Sequence, residues 1–296
     1  MGKTAFLFSG QGAQAPGMMK EYYDDVPGAR RVFDVADAAL GRSISGLCFE
    51  GSQDELNLTH NTQPCVLAAD LAAYEAALEA GLSPDGFAGF SLGEYAALVA
   101  AGCLALKDVF TLVQLRADAM QDAVPLGQGA MAAVMKISAA EVEDLCAEVA
   151  GYVVCANYNS PVQTVVSGKA EAVEELVALC KSRKVRAMRL PVSAPFHCEL
   201  MAPAAERLGR AIAALALAEP RLPVYLNVDA SPLSDAAELP AKMIAQAKSP
   251  VRWRQTLERM WDDGFTHFVE CGPGTTLSGF VKKTLPDAEI MTIVKD

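Results

Sequence analysis

The pentapeptide Gly89-Phe90-Ser91-Leu92-Gly93 is the part of the chain best suited to chemistry. It has the pattern G-x-S-x-G, follows a short apolar segment and precedes an alanine-rich one. Between a strand and a helix, this pattern forms a sharp turn that exposes the serine hydroxyl above the N-terminus of the helix. The flanking positions must be glycine because such a turn leaves no space for side chains. We therefore expect a nucleophilic serine, although the same pattern also occurs in turns without function.

A serine nucleophile needs a neighbouring base, which is most often a histidine. The chain contains only three candidates, His60, His197 and His267. His60 lies in a predicted loop before the pentapeptide. His267 begins a predicted strand, whereas ligands collect at the carboxyl ends of parallel strands. His197 follows a predicted strand and comes after the serine in the chain, which is the order of the α/β hydrolases. We therefore favour His197 as the base, against the alternative that it is structural.

Arg116 lies on the apolar side of a helix predicted over residues 107–123. Its neighbours three and four residues away are all uncharged: Leu112, Val113, Ala119 and Met120. A buried guanidinium without a partner is costly. Either a distant acidic residue or an anionic ligand must pair with Arg116, unless its long side chain reaches solvent.

Composition limits the possible functions. Hydrophobic residues make up 52% of the 296 residues and charged residues 21%, so a large core is available. No uninterrupted apolar run reaches the ~18 residues of a membrane-spanning helix, and we expect none. The net charge of −11 argues against nucleic acid and anionic membranes as general partners. The eight cysteines form no C-x-x-C pair, which indicates reduced core residues of a cytoplasmic protein without a zinc site.

The order of predicted elements indicates an α/β fold in two parts. A strand over Thr4–Ser9 runs into a glycine loop, and the pentapeptide connects strand 86–90 to helix 93–101. Residues 130–192 then follow the order β-α-β-β-α-β, which is typical of a ferredoxin-like unit. Beyond it, strand 266–271 is expected to be followed by a final helix. We predict a core of residues 1–124 and 196–296 with a mostly parallel sheet, and an inserted subdomain of residues 125–195.

These motifs together resemble the malonyl-CoA:acyl carrier protein transacylase family, which includes the acyltransferase domains of fatty-acid and polyketide synthases. The resemblance covers essentially the whole chain. It rests on the following ordered motifs: Gly10-Gln11-Gly12-Ala13-Gln14, Thr62-Gln63-Pro64, Gly89 to Glu94, Arg116 with Met120-Gln121, Ala156 to Pro161, Ala194 to His197, Gln246 with Pro250 to Trp253, and Glu270 to Gly274. It implies an α/β-hydrolase-like core with a ferredoxin-like insert.

The resemblance also implies roles for individual residues. Ser91 would be the nucleophile and His197 its general base, oriented by the backbone carbonyl of Gln246 rather than by a carboxylate. The backbone N–H groups of Gln11 and Leu92 would form the oxyanion hole.

The implied substrate site contains Arg116, Met120, Asn159, Phe196 and Phe90. Arg116 would hold the free carboxylate of malonate in a two-point fork, which lysine cannot supply. Phe196 resembles the malonyl-selective members, where a ring would crowd an α-methyl branch; alternatively it only packs. Phe90 departs from the pattern of the family, which usually has histidine at this position. We hypothesise that the phenylalanine ring excludes water from the turn.

The implied reaction is a ping-pong transfer of malonyl from malonyl-CoA to the phosphopantetheine thiol of acyl carrier protein, without a metal or redox cofactor. We expect a monomer in the cytoplasm that supplies fatty-acid synthesis. The alternatives are a serine thioesterase or hydrolase, a free-standing polyketide-synthase acyltransferase, and a non-catalytic binding protein.

A basic cluster is a candidate docking surface for the acidic carrier, or else a solvated helix end: Lys181, Arg183, Lys184, Arg186 and Arg189.

Overall fold

The computed structural model describes residues 2–192 and 194–293. Ser193, in the predicted second hinge, and residues 294–296, at the end of the predicted core, lie outside the described residues. The strands are, in chain order, β1 (Lys3–Phe8), β2 (Gly86–Gly89), β3 (Gly129–Met135), β4 (Val153–Ser160), β5 (Gln163–Lys169), β6 (Arg186–Arg189), β7 (Val224–Tyr225), β8 (Phe265–Cys271) and β9 (Glu289–Ile293).

The helices connect and cover these strands. They are α1 (Lys20–Asp25), α2 (Pro27–Leu40), α3 (Ile44–Glu50), α4 (Gln53–Leu56), α5 (Thr59–Glu79), α6 (Gly93–Ala100), α7 (Leu106–Asp122), α8 (Ala139–Glu148), α9 (Ala170–Ser182), α10 (Ala202–Ile212), α11 (Leu239–Gln246), α12 (Trp253–Asp262) and α13 (Thr276–Thr284). Short 3-10 turns cover Glu199–Met201 and Ala236–Glu238. No helix in the described part of the chain is long and apolar enough to cross a membrane.

The larger sheet has the strand order β7-β2-β1-β8-β9, and its neighbouring strands are all parallel. The prediction of an α/β fold with a mostly parallel sheet is therefore confirmed. Successive side chains of β1 point to opposite faces of the sheet. Phe6 and Phe8 enter a large apolar cluster with α2, α5 and α6, whereas Ala5 and Leu7 pack with α12 and α13. Both faces are covered, as a parallel sheet requires.

The helix predicted after strand 266–271 is confirmed as α13, but one strand was not predicted and one residue was misplaced. The strand that was not predicted is β9, which follows α13 and runs parallel to β8. Its five residues carry too short an alternation to stand out. His60 lies in α5 rather than in a loop, because the helix begins at Thr59. Pro64 has no N–H to donate to the His60 carbonyl, and that carbonyl instead accepts hydrogen bonds from the side chains of Arg42 at 2.8 Å and Gln114 at 3.3 Å.

The smaller sheet has the order β4-β5-β3-β6, and its neighbouring strands are all antiparallel. Helices α8 and α9 pack on one of its faces through an apolar cluster that includes Val134, Val166 and Leu176. The opposite face contributes Met131 and Val165 to a second cluster, together with residues of α7 and α10. A cavity opens between this second face and the carboxyl ends of the parallel strands.

Candidate active site

Ser91 lies in a tight turn between β2 and α6. Its φ of 53° is in the left-handed region, which costs a non-glycine residue about 1–3 kcal/mol. A Cβ atom on Gly89 would lie 2.0 Å from the Gly93 carbonyl carbon, and one on Gly93 would lie 2.2 Å from the Phe8 carbonyl oxygen. The strand, the turn and the helix therefore fit together only with glycine on both sides of the serine.

His197 is the histidine beside Ser91. Its Nε2 lies 2.6 Å from Ser91 Oγ, and its Nδ1 lies 3.0 Å from the backbone oxygen of Gln246. A carbonyl can only accept, so Nδ1 carries the proton and the neutral Nε2 accepts from the serine hydroxyl. Burial, and next the positive charge of Arg116, lower the pKa of His197 to about 3. The imidazole is therefore neutral at physiological pH and able to take a proton.

Arg116 projects from α7 into the same place and is only 1% exposed. Its guanidinium donates to Gln63 Oε1 at 2.7 Å, to Gln246 Oε1 at 3.2 Å and to Ser91 Oγ at 3.3 Å. It also lies 5.3 Å from the centre of the Tyr95 ring, a cation–π contact. No carboxylate of the described residues lies within ion-pair distance of this guanidinium. The cation next to the serine is thus held only by neutral groups.

Two backbone amides near Ser91 are available to bind an anion. Among the described residues, the N–H groups of Gln11 and Leu92 have no hydrogen-bond acceptor. Gln11 follows β1, and Leu92 precedes α6, so both amides lie at carboxyl ends of parallel strands near the serine. The N-terminus of α6 adds its positive dipole end to the same region.

A cavity of about 230 Å³ contains most of the sequence-predicted site residues. Its lining includes Gln11, Phe90, Ser91, Arg116, Met120, Asn159, Phe196 and His197. Leu92 and Gln246 are not part of the lining; Leu92 is the residue next to Ser91, and Gln246 contacts the site through the hydrogen bonds above. The two other histidines lie elsewhere: His60 is exposed on α5, and His267 bonds to Thr266 near the start of β8.

Two separate groups of apolar side chains line the cavity, together with the buried amide of Asn159. Met120 and Phe196 pack in the cluster beneath the smaller sheet. Phe90 packs instead against Trp253 and Phe280, with ring centres 5.5 and 6.0 Å away. Asn159 is 4% exposed, and its Oδ1 has no hydrogen-bond partner among the described residues. Since a buried unpaired amide oxygen is unfavourable, a ligand donor is a natural partner for it.

Two further residues, Gln63 and Asn227, contact the site although the sequence predicted no role for them. Gln63 is buried in α5 and accepts the shortest hydrogen bond of Arg116, at 2.7 Å. Asn227 is buried beyond β7 and accepts from the backbone N–H of Ser91 at 2.8 Å. A polar residue within an apolar segment was the available signal for Asn227, in Leu226-Asn227-Val228.

The predicted basic cluster is partly neutralised. Arg183 pairs with Glu148, and Arg189 pairs with Glu174. Lys181, Lys184 and Arg186 are exposed and make no ion pair with described residues.

Residues 2–192 and 194–293 hold no group of three or more His, Cys, Asp or Glu side chains that could bind a metal ion.

Comparison with known proteins gives consistent matches over nearly the whole chain. Residues 5–295 match the family described as the acyl transferase domain. A relative from Bacillus subtilis (strain 168), named malonyl CoA-acyl carrier protein transacylase, is 46% identical over 287 residues, 96% of this chain and 90% of the relative.

Solved structures agree with that match. An acyl-carrier-protein S-malonyltransferase from Burkholderia pseudomallei 1710b has a TM-score of 0.96 and 41% identity, covering 99% of this chain and 97% of the other. A malonyl-transacylase in complex with a type II polyketide synthase acyl-carrier protein has a TM-score of 0.95 and 37% identity, covering 99% of this chain and 96% of the other.

Proposed function

Because the chain belongs to the acyl transferase family, we propose that it transfers malonyl from malonyl-CoA to the phosphopantetheine thiol of acyl carrier protein, in fatty-acid synthesis. The observation that carries the proposal is the guanidinium of Arg116. It is buried beside the serine hydroxyl and has no carboxylate partner among the described residues. A malonyl group brings a free carboxylate, which would supply that partner in a two-point hydrogen bond.

The first half-reaction loads the enzyme. His197 Nε2 accepts the proton of Ser91 Oγ as the oxygen attacks the thioester carbonyl of malonyl-CoA. The N–H groups of Gln11 and Leu92 bind the negative oxygen that forms, and one such donor contributes about 10²–10³ in rate. The carbon–sulfur bond then breaks, and the CoA sulfur takes the proton from His197. Malonyl-Ser91 remains.

The second half-reaction repeats the steps with the carrier. The phosphopantetheine thiol gives its proton to His197 and attacks the malonyl-serine ester. The carbon–oxygen bond breaks, and Ser91 Oγ recovers the proton. The Gln246 carbonyl holds the Nδ1 proton of His197 throughout, which fixes the tautomer that both steps need.

The cavity supports selection of a small, unbranched malonyl group. Phe196 is 8% exposed and packs against the walls of the cavity, so it has little freedom to move away from an α-methyl branch. Malonyl is therefore favoured over methylmalonyl. Phe90 contributes an aromatic surface where the family usually has histidine, which favours exclusion of water from the ester. Met120 and Asn159 would complete the substrate contacts.

Several broader features belong to the same proposal. The core is α/β-hydrolase-like, and residues 125–195 are an inserted ferredoxin-like subdomain. The β-α-β-β-α-β order of β3, α8, β4, β5, α9 and β6 supports the assignment of the insert. No cofactor is required by the chemistry above. The free state of all eight cysteine thiols supports a reducing, cytoplasmic compartment. A monomer remains a prediction, which light scattering would test.

The carrier is expected to dock beside β6. Lys181, Lys184 and Arg186 offer uncompensated positive charge there, and acyl carrier protein is acidic. Lys181→Glu combined with Lys184→Glu should weaken transfer to the carrier while malonyl-CoA loading stays at the wild-type rate. Equal loss in both steps would count against this docking surface.

One experiment tests the proposed function. The protein is mixed with malonyl-CoA, its intact mass is measured, and acyl carrier protein is then added. A transacylase forms a malonyl adduct on Ser91 that is discharged to the carrier. Release of free malonate without carrier would identify a hydrolase, and absence of any adduct would identify a binding protein.

A further inference from the structure

Asn227 binds both sides of the turn that carries the nucleophile. It lies two residues beyond β7 and is fully buried. Its Oδ1 accepts from the Ser91 backbone N–H at 2.8 Å, and its Nδ2 donates to the Gly89 carbonyl at 2.7 Å. The parallel pairing of β2 with β7, in which Ala88 lies opposite Tyr225, brings it to this turn from 136 residues away.

The backbone of Asn227 is fixed as well. Its N–H donates to Glu94 Oε2 at 2.6 Å, and its carbonyl accepts from the Arg252 N–H at 3.0 Å. The orientation of the side-chain amide is also determined, because the Ser91 N–H can only donate and the Gly89 carbonyl can only accept. Every polar group of this residue therefore has a partner.

We propose that Asn227 is a positioning residue for the acyl transfer, an inference that rests on the proposed function. It holds Ser91 in the left-handed conformation in which Oγ lies 2.6 Å from His197 Nε2. It also occupies the Ser91 N–H, so the oxyanion is left to the amides of Gln11 and Leu92. The Ser91 carbonyl is bound separately, by Gln246 Nε2 at 2.6 Å. Both peptide groups of the nucleophile are thereby fixed.

Only a side chain of this length that carries both a hydrogen-bond donor and an acceptor meets the requirement. The site needs an acceptor for one backbone N–H and a donor for one backbone carbonyl. Leucine has the shape without either group, and an ionised aspartate has no donor. Alanine would leave both backbone groups of a buried turn unpaired, and Ser91 would be free to relax from its strained conformation.

The test compares Asn227→Ala with a matched control, Asn61→Ala. Asn61 is also buried, at 6% exposed, and also makes two side-chain hydrogen bonds, with Arg42 and with the Glu55 carbonyl. Two reactions of Ser91 are timed by intact mass: malonylation by malonyl-CoA, and phosphonylation by a fluorophosphonate probe. Thermal unfolding of both variants sets a temperature at which each is folded.

We expect Asn227→Ala to lower kcat for malonylation, and the probe rate, by about 10²-fold, the effect of a small displacement of a reacting atom. The KM for malonyl-CoA should not change, because Arg116 and the cavity are intact, and Asn61→Ala should keep the wild-type rates. A wild-type probe rate in folded Asn227→Ala, or an equal fall in Asn61→Ala, would overturn the proposal. If the wild-type protein reacts with the probe but not with malonyl-CoA, the proposed function fails while the probe still tests Asn227.

Asn227→Asp tests the donor separately. An ionised carboxylate would face the Gly89 carbonyl. The charged groups nearby are Glu94, which accepts from the backbone N–H of residue 227, and Asp229, Lys242, Arg252 and Arg116. When protonated, the same carboxyl can donate to Gly89 and accept from Ser91. The probe rate should therefore recover as the pH is lowered from about 8 to about 5, a range in which a buried carboxyl can gain its proton. A rate that stays at the Asn227→Ala level across the range would refute the role of the donor.

Discussion

If Arg116 binds the malonyl carboxylate as proposed, replacing it by alanine should make the enzyme prefer uncharged acyl groups. Arg116 donates to neutral oxygens of Gln63, Gln246 and Ser91, so a substrate carboxylate can gain two of its hydrogen bonds without breaking an ion pair. A hydrogen bond to a charged group contributes about 1.5–3 kcal/mol, and two contribute about 3–6 kcal/mol. At about 1.4 kcal/mol per tenfold, kcat/KM for malonyl-CoA should fall about 10²–10⁴-fold.

Acetyl-CoA provides the internal comparison because it lacks the carboxylate. The positive charge of Arg116 also lowers the pKa of His197, so removing it makes the base stronger and should not slow acetylation. Arg116→Lys keeps the positive charge but loses the two-point hydrogen bond. Its rate with malonyl-CoA should therefore lie between those of wild type and Arg116→Ala, whereas its rate with acetyl-CoA should not change. The measurement is the rate of malonyl-enzyme and acetyl-enzyme formation by rapid quench and intact mass.

Arg42→Ala is the matched control for loss of an arginine. Arg42 also donates to three neutral oxygens, those of Asn61, His60 and Gln114, but does not line the cavity. It should leave the ratio of malonyl to acetyl rates unchanged. If folded Arg116→Ala loses both rates equally, Arg116 supports the turn rather than the substrate, and the carboxylate argument is refuted.

Four further predictions concern His197 and the cavity. Because burial and Arg116 lower the pKa of His197 to about 3, loading should stay level as the pH falls from about 7 to about 5; a decline centred near the ordinary histidine pKa of about 6.5 would contradict this. The same lowered pKa stabilises the fold above about pH 6.5 and the stabilisation is lost as the pH falls towards the folded-state value, which denaturant unfolding at several pH values would measure. Phe90→His should speed hydrolysis of the isolated malonyl-enzyme by admitting water, and identical hydrolysis rates would refute a drying role for Phe90. Phe196→Ala should raise loading of methylmalonyl-CoA relative to malonyl-CoA, whereas wild-type protein that loads both equally would show that Phe196 only packs.

The turn and the parallel sheet could be predicted because their causes are local. Glycine on both sides of Ser91 is a steric requirement within five residues, and β1 ends in four consecutive buried apolar residues. His197, which elimination among three histidines favoured as the base, is the histidine that lies beside Ser91. The short strand β9 and the start of α5 could not be predicted, because they depend on pairing with β8 and on the distant donors Arg42 and Gln114.

The hydrogen bonds that complete the site were beyond sequence analysis for the same reason. Gln63 meets Arg116 from a helix 53 residues earlier, and Asn227 meets Ser91 from 136 residues later. Nothing in the local pattern around either amide distinguishes a contact with the nucleophile from an ordinary buried polar group. Their partners become visible only when the order of strands in the sheet is known.

The partner of Arg116 likewise could not be decided from the sequence. Helical periodicity left three options open: a distant acid, an anionic ligand or escape to solvent. Burial excludes escape to solvent, and the nearby acid Glu94 is bonded to the backbone N–H of Asn227 instead of to the guanidinium. The positive charge therefore remains uncompensated at short range and lowers the pKa of His197. Under the proposed function, a malonyl carboxylate bound by Arg116 would neutralise this charge and raise the pKa of His197, which would make His197 a stronger base in the substrate complex.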